Sequence, residues 1–175
     1  MLSLPDQYEP TLDIRQRETA IKDIKDFFER QLAASLNLCR VTAPLFVRSG
    51  TGINDDLNGV EQPVRFTVKE DNNSQVEIVQ SLAKWKRLAL AEYGFATGEG
   101  LYTDMNALRP DETIDELHSI YVDQWDWEKI IAPADRNLET LESTVRAIYD
   151  CICRTEFNLA SEYSHIRPIL PEQIH

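Results

Sequence analysis

The sequence predicts an α+β fold, a mostly antiparallel sheet flanked by long helices. Two stretches carry a helical stripe: Ile21, Ile24, Phe28, Leu32 and Ser35 recur on one face, and Leu138, Leu141, Val145, Ile148 and Ile152 do so after Pro133. Between them lie strand-like runs, among them Val64, Phe66 and Val68 alternating with polar residues. The 175 residues suffice for one domain that buries about two-thirds of its unfolded surface. With no internal repeat or low-complexity linker, residues 1–175 read as one continuous domain.

Taken in order, the tail Leu2 to Pro10 holds breaker residues and is expected to pack loosely. Asp13-Ile-Arg-Gln16 has capping-box spacing, so the first helix starts there and runs to about Leu36, with Ala20 and Phe27 widening its stripe. Cys39 to Val47 is strand-like but contains Pro44, which cannot donate to a ladder and so sits at an edge or an irregular pairing. Arg48 to Gly59 is a loop rich in Gly, Asn and Asp. Val64 to Val68, a turn at Asp71–Ser74 and Val76 to Gln80 make a β-hairpin. Leu82 to Ala91 is helical in composition, Gly98 to Arg109 a loop leading into a strand, and Leu117 to Glu128 a long aromatic-rich strand.

Charge and cysteines exclude several classes. The formal net charge of −12, with Lys84-Trp85-Lys86-Arg87 as the single dense basic cluster, argues against nucleic acid as a partner. No apolar run approaches the roughly 20 residues of a membrane helix, and no secretory leader is recognisable, so a cytoplasmic location is expected. Cys39, Cys151 and Cys153 are an odd set that reads as reduced thiols.

Three places hold polar residues beyond what a core needs. In Gly50-Thr-Gly-Ile-Asn-Asp55-Asp56, glycines allow close approach to a ligand, and a carboxylate there could hold an amine or a metal; a solvated turn is the plainer reading. Ser81 to Arg87 opens a helix after a strand, a natural anion site to which Lys86 could add a point charge; a basic face covering apolar surface is the alternative. Around Arg109-Pro-Asp111-Glu112 and His118 to Glu128, Arg109 suits bidentate contact with phosphate or carboxylate. On a strand, Gln124 and Asp126 share one face while Asp123, Trp125 and Trp127 share the other, which fits a lined pocket or an exposed acidic face. His118, His165 and His175 form no ligand pattern, and no zinc, phosphate-loop or Ser/His/Asp signature is present.

Four words, Ser81-Leu-Ala-Lys-Trp-Lys-Arg87, Gly98-Glu-Gly-Leu-Tyr102, Ala107-Leu-Arg-Pro-Asp-Glu112 and His118-Ser-Ile-Tyr-Val-Asp-Gln-Trp-Asp-Trp-Glu128, resemble asparagine synthetase A, the aspartate–ammonia ligase family, in order and spacing. Leu170-Pro-Glu-Gln-Ile-His175 is similar to a mid-chain segment of that family. The resemblance implies the N-terminal part of a catalytic domain like that of class II aminoacyl-tRNA synthetases. It also implies the family's reaction: L-aspartate attacks ATP to give β-aspartyl-AMP and pyrophosphate, and ammonia then displaces AMP to give asparagine.

By the same resemblance, Asp55 would pair with the substrate ammonium and Lys86 with a substrate carboxylate. Arg109 would brace the α-phosphate, Gln124 would hydrogen-bond the substrate, and Ser81 and Asp126 would line the amino-acid site. Asp111 and His118 would contact ATP. ATP with Mg²⁺ is the expected cofactor set, with the metal-holding residues left unknown. A homodimer through the first long helix and the Pro44 strand is the expected assembly. The family continues for nearly as long again, so the isolated 175 residues are expected to be incompetent alone. A non-catalytic paralogue acting as a dimerisation or ligand-binding module is the alternative. A tRNA-charging enzyme is disfavoured by the acidic charge.

Overall fold

The computed structural model describes residues 9–115 and 117–174, so most of the Leu2–Pro10 tail and His175 lie outside the described residues. Helix α1, Ile14–Leu36, starts at the expected capping box: Asp13 Oδ1 accepts the Gln16 N–H at 2.9 Å, and Gln16 Oε1 accepts the Asp13 N–H at 3.0 Å. Asn37 ends it in the left-handed conformation, donating its N–H to Ala33 O.

Pro44 divides the following run more sharply than an irregular strand would. The two pieces, β1 (Leu38–Arg40) and β2 (Phe46–Arg48), join different sheets, each as an edge. The hairpin forms as β3 (Arg65–Val68) and β4 (Ser74–Ile78), joined by a short helical turn and two left-handed asparagines, Asn72 and Asn73. Helix α2 spans Ala83–Glu92, β5 spans Gly100–Leu108 and β6 spans Tyr121–Lys129. Strand β6 begins four residues later than the composition of Leu117 to Glu128 suggests. Asp115 Oδ1 accepts the N–H groups of Leu117 and His118, both at 2.7 Å, and this local turn holds the segment out of the ladder. Helix α3, Leu138–Glu162, is capped by Asn137, whose Oδ1 accepts the Thr140 N–H at 2.9 Å.

The strands form two sheets of order β1-β5-β6 and β2-β4-β3, and β1–β5 is the parallel pairing in an otherwise antiparallel set. Val79 joins them: its N–H donates to Leu45 O at 3.1 Å, and its C=O accepts the Leu108 N–H at 3.1 Å. Gly100 lies where β1, β5 and β6 meet. A Cβ there would stand 2.5 Å from Glu128 O and 2.6 Å from Leu38 Cδ2, so glycine is required by close approach.

The β5–β6 ribbon is covered on both sides. On one side, Tyr102 and Trp127 pack with Leu32, Leu36 and Leu38 under Ala147 and Ile148 of α3. Helices α1 and α3 run antiparallel there, with Gln16 beside Tyr163 and Ser35 beside Cys151. On the other, Leu101, Met105 and Ala107 meet Leu82, Ala89 and Leu90 of α2 and its approach, together with Val79. Sheet alternation therefore places Gln124 and Asp126 on the α2 side, and Asp123, Trp125 and Trp127 on the α1–α3 side. The helices, hairpin and antiparallel ribbon make the α+β class read from the sequence.

Candidate active site at the N-terminus of helix α2

The residue preceding α2 is Leu82, whose side chain cannot satisfy the free N–H groups of the first turn. Asp55, from the glycine-rich loop, does so: its Oδ2 accepts the Ala83 N–H at 3.1 Å, with the carboxylate favoured by the helix dipole. Its backbone N–H donates to Ser81 O at 3.4 Å, and Lys84 Nζ approaches Oδ1 at 3.4 Å. The loop can arrive there because Gly50 and Gly52 adopt φ of +76° and +72°. It is then fixed by buried Asn54, whose Nδ2 donates to Ile78 O at 3.1 Å and whose Oδ1 accepts the Gln80 N–H at 2.8 Å.

One turn into α2, Lys86 is 1% exposed and forms an ion pair with Asp126 of β6. An ammonium this deeply buried needs its partner, because desolvation otherwise disfavours the charge. Thr103, opposite on β5, donates from Oγ1 to Asp126 O at 3.3 Å. Gln124, two residues earlier on the same face, places Nε2 at 3.7 Å from Met105 Sδ, a weak acceptor that leaves its polar capacity largely unused.

Arg109 follows the last residue of β5. Its backbone N–H donates to Ile120 O at 2.9 Å, closing the loop between the ribbon strands, and its Nε donates to Gln80 O at 3.5 Å. It borders a cavity of about 370 Å³ lined by Leu57, Asn58, Glu61, Asp111 and Glu112 as well. Asp111 Oδ2 accepts the Gln62 N–H at 2.7 Å, tying the ribbon loop to the start of the hairpin.

The fold thus gathers Asp55, Ser81, Lys86, Gln124 and Asp126 around the start of α2, joins Arg109 to them through Gln80, and sets Asp111 beside Arg109. It does not bring His118 to them: the ring is exposed and pairs with Asp115 at 2.8 Å. Asp115 holds that imidazole above its ordinary titration range by hydrogen bond and charge. No group of three or more His, Cys, Asp or Glu residues suited to a metal occurs among the described residues. Three contributors were not singled out from the sequence: Asn54, Gln80 and Thr103. The available signals were their positions, Asn54 beside Asp55 and Gln80 beside Ser81, with an amide closing an otherwise apolar strand end.

Residues 15–175 match the family model described as aspartate-ammonia ligase. An aspartate–ammonia ligase of Clostridium perfringens is 60% identical over 173 residues, 99% of this chain and 52% of the relative. That of Ruminiclostridium cellulolyticum is 59% identical over 97% of this chain and 51% of the relative. The chain therefore spans about half the length of the relatives it matches. Among solved structures, asparaginyl-tRNA synthetase of Entamoeba histolytica superposes with a TM-score of 0.56 over 86% of this chain and 29% of that one, at 13% identity. Its complex with asparaginyl-adenylate gives 0.55 over 94% and 37%, also at 13% identity. At that identity the likeness is one of fold, the class II synthetase fold. The sequence match is much closer, and on it the chain belongs to the aspartate–ammonia ligase family.

Proposed function

We propose that this chain supplies the N-terminal part of an active site that makes L-asparagine from L-aspartate, ammonia and ATP. A β-carboxylate oxygen of aspartate attacks the α-phosphorus of ATP, breaking its bond to the pyrophosphate oxygen. Ammonia then attacks the acyl carbon of β-aspartyl-AMP, loses a proton and releases AMP. The observation that carries this reading is the pair of ion pairs flanking the start of α2, Lys86–Asp126 and Lys84–Asp55.

L-Aspartate can engage both with its ammonium and one carboxylate, which leaves its second carboxylate free to face the α-phosphate. Its ammonium takes the place of Lys84 on Asp55, and a carboxylate shares Lys86 with Asp126. Gln124 and Ser81 supply neutral hydrogen bonds that orient it. Arg109, at the mouth of the adjoining cavity, braces the α-phosphate as charge builds there. Asp111 lies beside it, and the resemblance to the family adds His118 as a further ATP contact. Mg²⁺ would accompany ATP and neutralise the charge of the leaving pyrophosphate.

A second copy of the protein completes the assembly through α1 and the Pro44 segment. Leu45, Phe46 and Phe66 are exposed there, the two rings edge to face at 5.3 Å. No described helix is long and apolar enough to cross a membrane, and the proposed setting is the cytoplasm. The test is aspartate-dependent ATP–pyrophosphate exchange by the native-length protein, with Arg109→Ala expected to lower it about 10²-fold or more. ATP binding without exchange in the wild-type protein would instead favour a non-catalytic binding module.

A further inference from the structure

Gln80 presents a buried donor that no described residue accepts. The residue is 1% exposed, and its Nε2 has no hydrogen-bond partner among the described residues. Its main chain is held on three sides by parts of the proposed site. The N–H donates to Asn54 Oδ1 at 2.8 Å, the C=O accepts Arg109 Nε at 3.5 Å, and the next residue, Ser81, accepts the Asp55 N–H at 3.4 Å. Two other buried side-chain atoms are unpaired among the described residues, Ser49 Oγ and Trp125 Nε1. Trp125 stands on the far side of β6 against Phe28, and Ser49 lies in the loop after β2. Gln80 differs from both in being bonded through its backbone to Arg109 and to the clamp of the Asp55 loop.

A buried donor without an acceptor costs more than an average hydrogen bond contributes, so such a group calls for a partner. We propose that the Gln80 amide donates to an oxygen of an anionic substrate group held by Arg109 or Lys86, as a further substrate-contacting residue. This rests on the ligase reading given above. A neutral amide suits the position. Arg109 and Lys86 already supply positive charge, and an amide adds direction without placing another buried cation beside them. The ligand chemistry is an oxyanion, which in the proposed reaction is either a carboxylate of aspartate or the α-phosphate of ATP.

The experiment compares wild type, Gln80→Met and Gln80→Glu in the native-length protein, by aspartate-dependent ATP–pyrophosphate exchange and by thermal unfolding without substrates. Methionine keeps the length and removes the donor. It is expected to lower kcat/KM about 10-fold, the scale of a hydrogen bond to a charged acceptor. Its Tm is expected to be unchanged or raised, because no bond of the free protein is lost. Glutamate is expected to lower kcat/KM further, since its charge repels the anion. A KM increase confined to aspartate assigns the acceptor to the carboxylate, and one confined to ATP assigns it to the phosphate. Gln80→Met with the wild-type kcat/KM would overturn the inference alone. So would a Tm fall in that variant, which would show the amide engaged within the free fold. Absence of exchange in the wild-type protein would overturn the ligase reading and this inference with it.

Discussion

Each face of the β5–β6 ribbon pairs its aspartates with a lysine from the covering helix, and the two lysines live in different electrostatic regimes. On the α1–α3 side, Lys25 lies 2.9 Å from Asp123 and 3.6 Å from Asp104, 5.9 Å above the Trp125 ring, with 27% of its side chain exposed. On the α2 side, Lys86 meets Asp126 with 1% exposed. The first pair is solvated, and pairs of that kind contribute about 0–1 kcal/mol. The second gives up hydration that attraction alone does not restore. A fold seeking stability alone would place an apolar side chain at position 86. We propose that a ligand accounts for the charge there, and on that reading the contrast separates a structural face from a chemical one.

The largest effect that tests this contrast is Lys86→Met. Aspartate-dependent exchange should fall about 10²-fold or more. Stability should fall by less than the about 3–5 kcal/mol of a fully buried broken pair, because Asp126 remains partly exposed to water. Urea unfolding followed by circular dichroism measures the second quantity. Gly100→Ala comes next, since the new methyl group meets backbone where both faces share a strand. A loss of about 1–3 kcal/mol is expected in the same assay, and a neutral result would mean that β1 can move away freely. Lys25→Met should cost no more than about 1 kcal/mol and leave exchange intact. Equal losses of exchange from Lys25→Met and Lys86→Met would erase the distinction between the faces.

The smallest effect belongs to the ribbon loop. The Leu117 N–H, then the hydrogen bonds from His118, hold Asp115 below the ordinary carboxylate range, while Asp115 holds His118 above 6.5. The imidazolium contribution is therefore complete below 6.5 and fades as pH rises through the higher folded value. The carboxylate contribution is present above 3.8 and fades as pH falls through the lower folded value. The loop turn is best held between these limits. NMR titration of His118 should give a midpoint above 6.5 that moves back toward it in Asp115→Asn.

Local chemistry made much of this fold legible. The Asp13–Gln16 capping box, the turn between β3 and β4 and the helical periodicity of α3 each depend on residues within a few positions of one another, although of the α3 stripe Leu138, Leu141, Val145 and Ile152 are exposed and the buried residues of that helix are Cys151 and Thr155. The alternation that puts Gln124 and Asp126 opposite Trp125 is equally local. Long-range geometry was not legible. Nothing within the run from Leu82 to Ala91 shows that its first turn is capped by Asp55, 28 positions away. Nor does Pro44 by itself indicate that its two flanks join separate sheets. The segment from Leu117 to Ile120 reads as strand because the β propensity of the aromatic-rich run that follows ignores the Asp115 turn, a side-chain contact that competes with the ladder. Asn54, Gln80 and Thr103 escaped for a related reason: an amide or hydroxyl becomes informative only when its partners, or their lack, are known.

The antiparallel packing of α1 on α3 has a consequence for synthesis. The ribosome completes α1 roughly 100 residues before it begins α3, an interval of about 5–20 s at 5–20 residues per second. Strand β1 waits about 60 residues for its parallel neighbour, since Leu38 pairs with Gly100. Until β5 and β6 emerge, the nascent chain displays Phe28 and Leu32 without the Tyr102, Trp125 and Trp127 rings that cover them in the finished fold, and the α3 side stays open longer still. The emerging polypeptide thus carries apolar surface uncovered until its distant partners arrive, the condition in which incomplete chains are prone to aggregate.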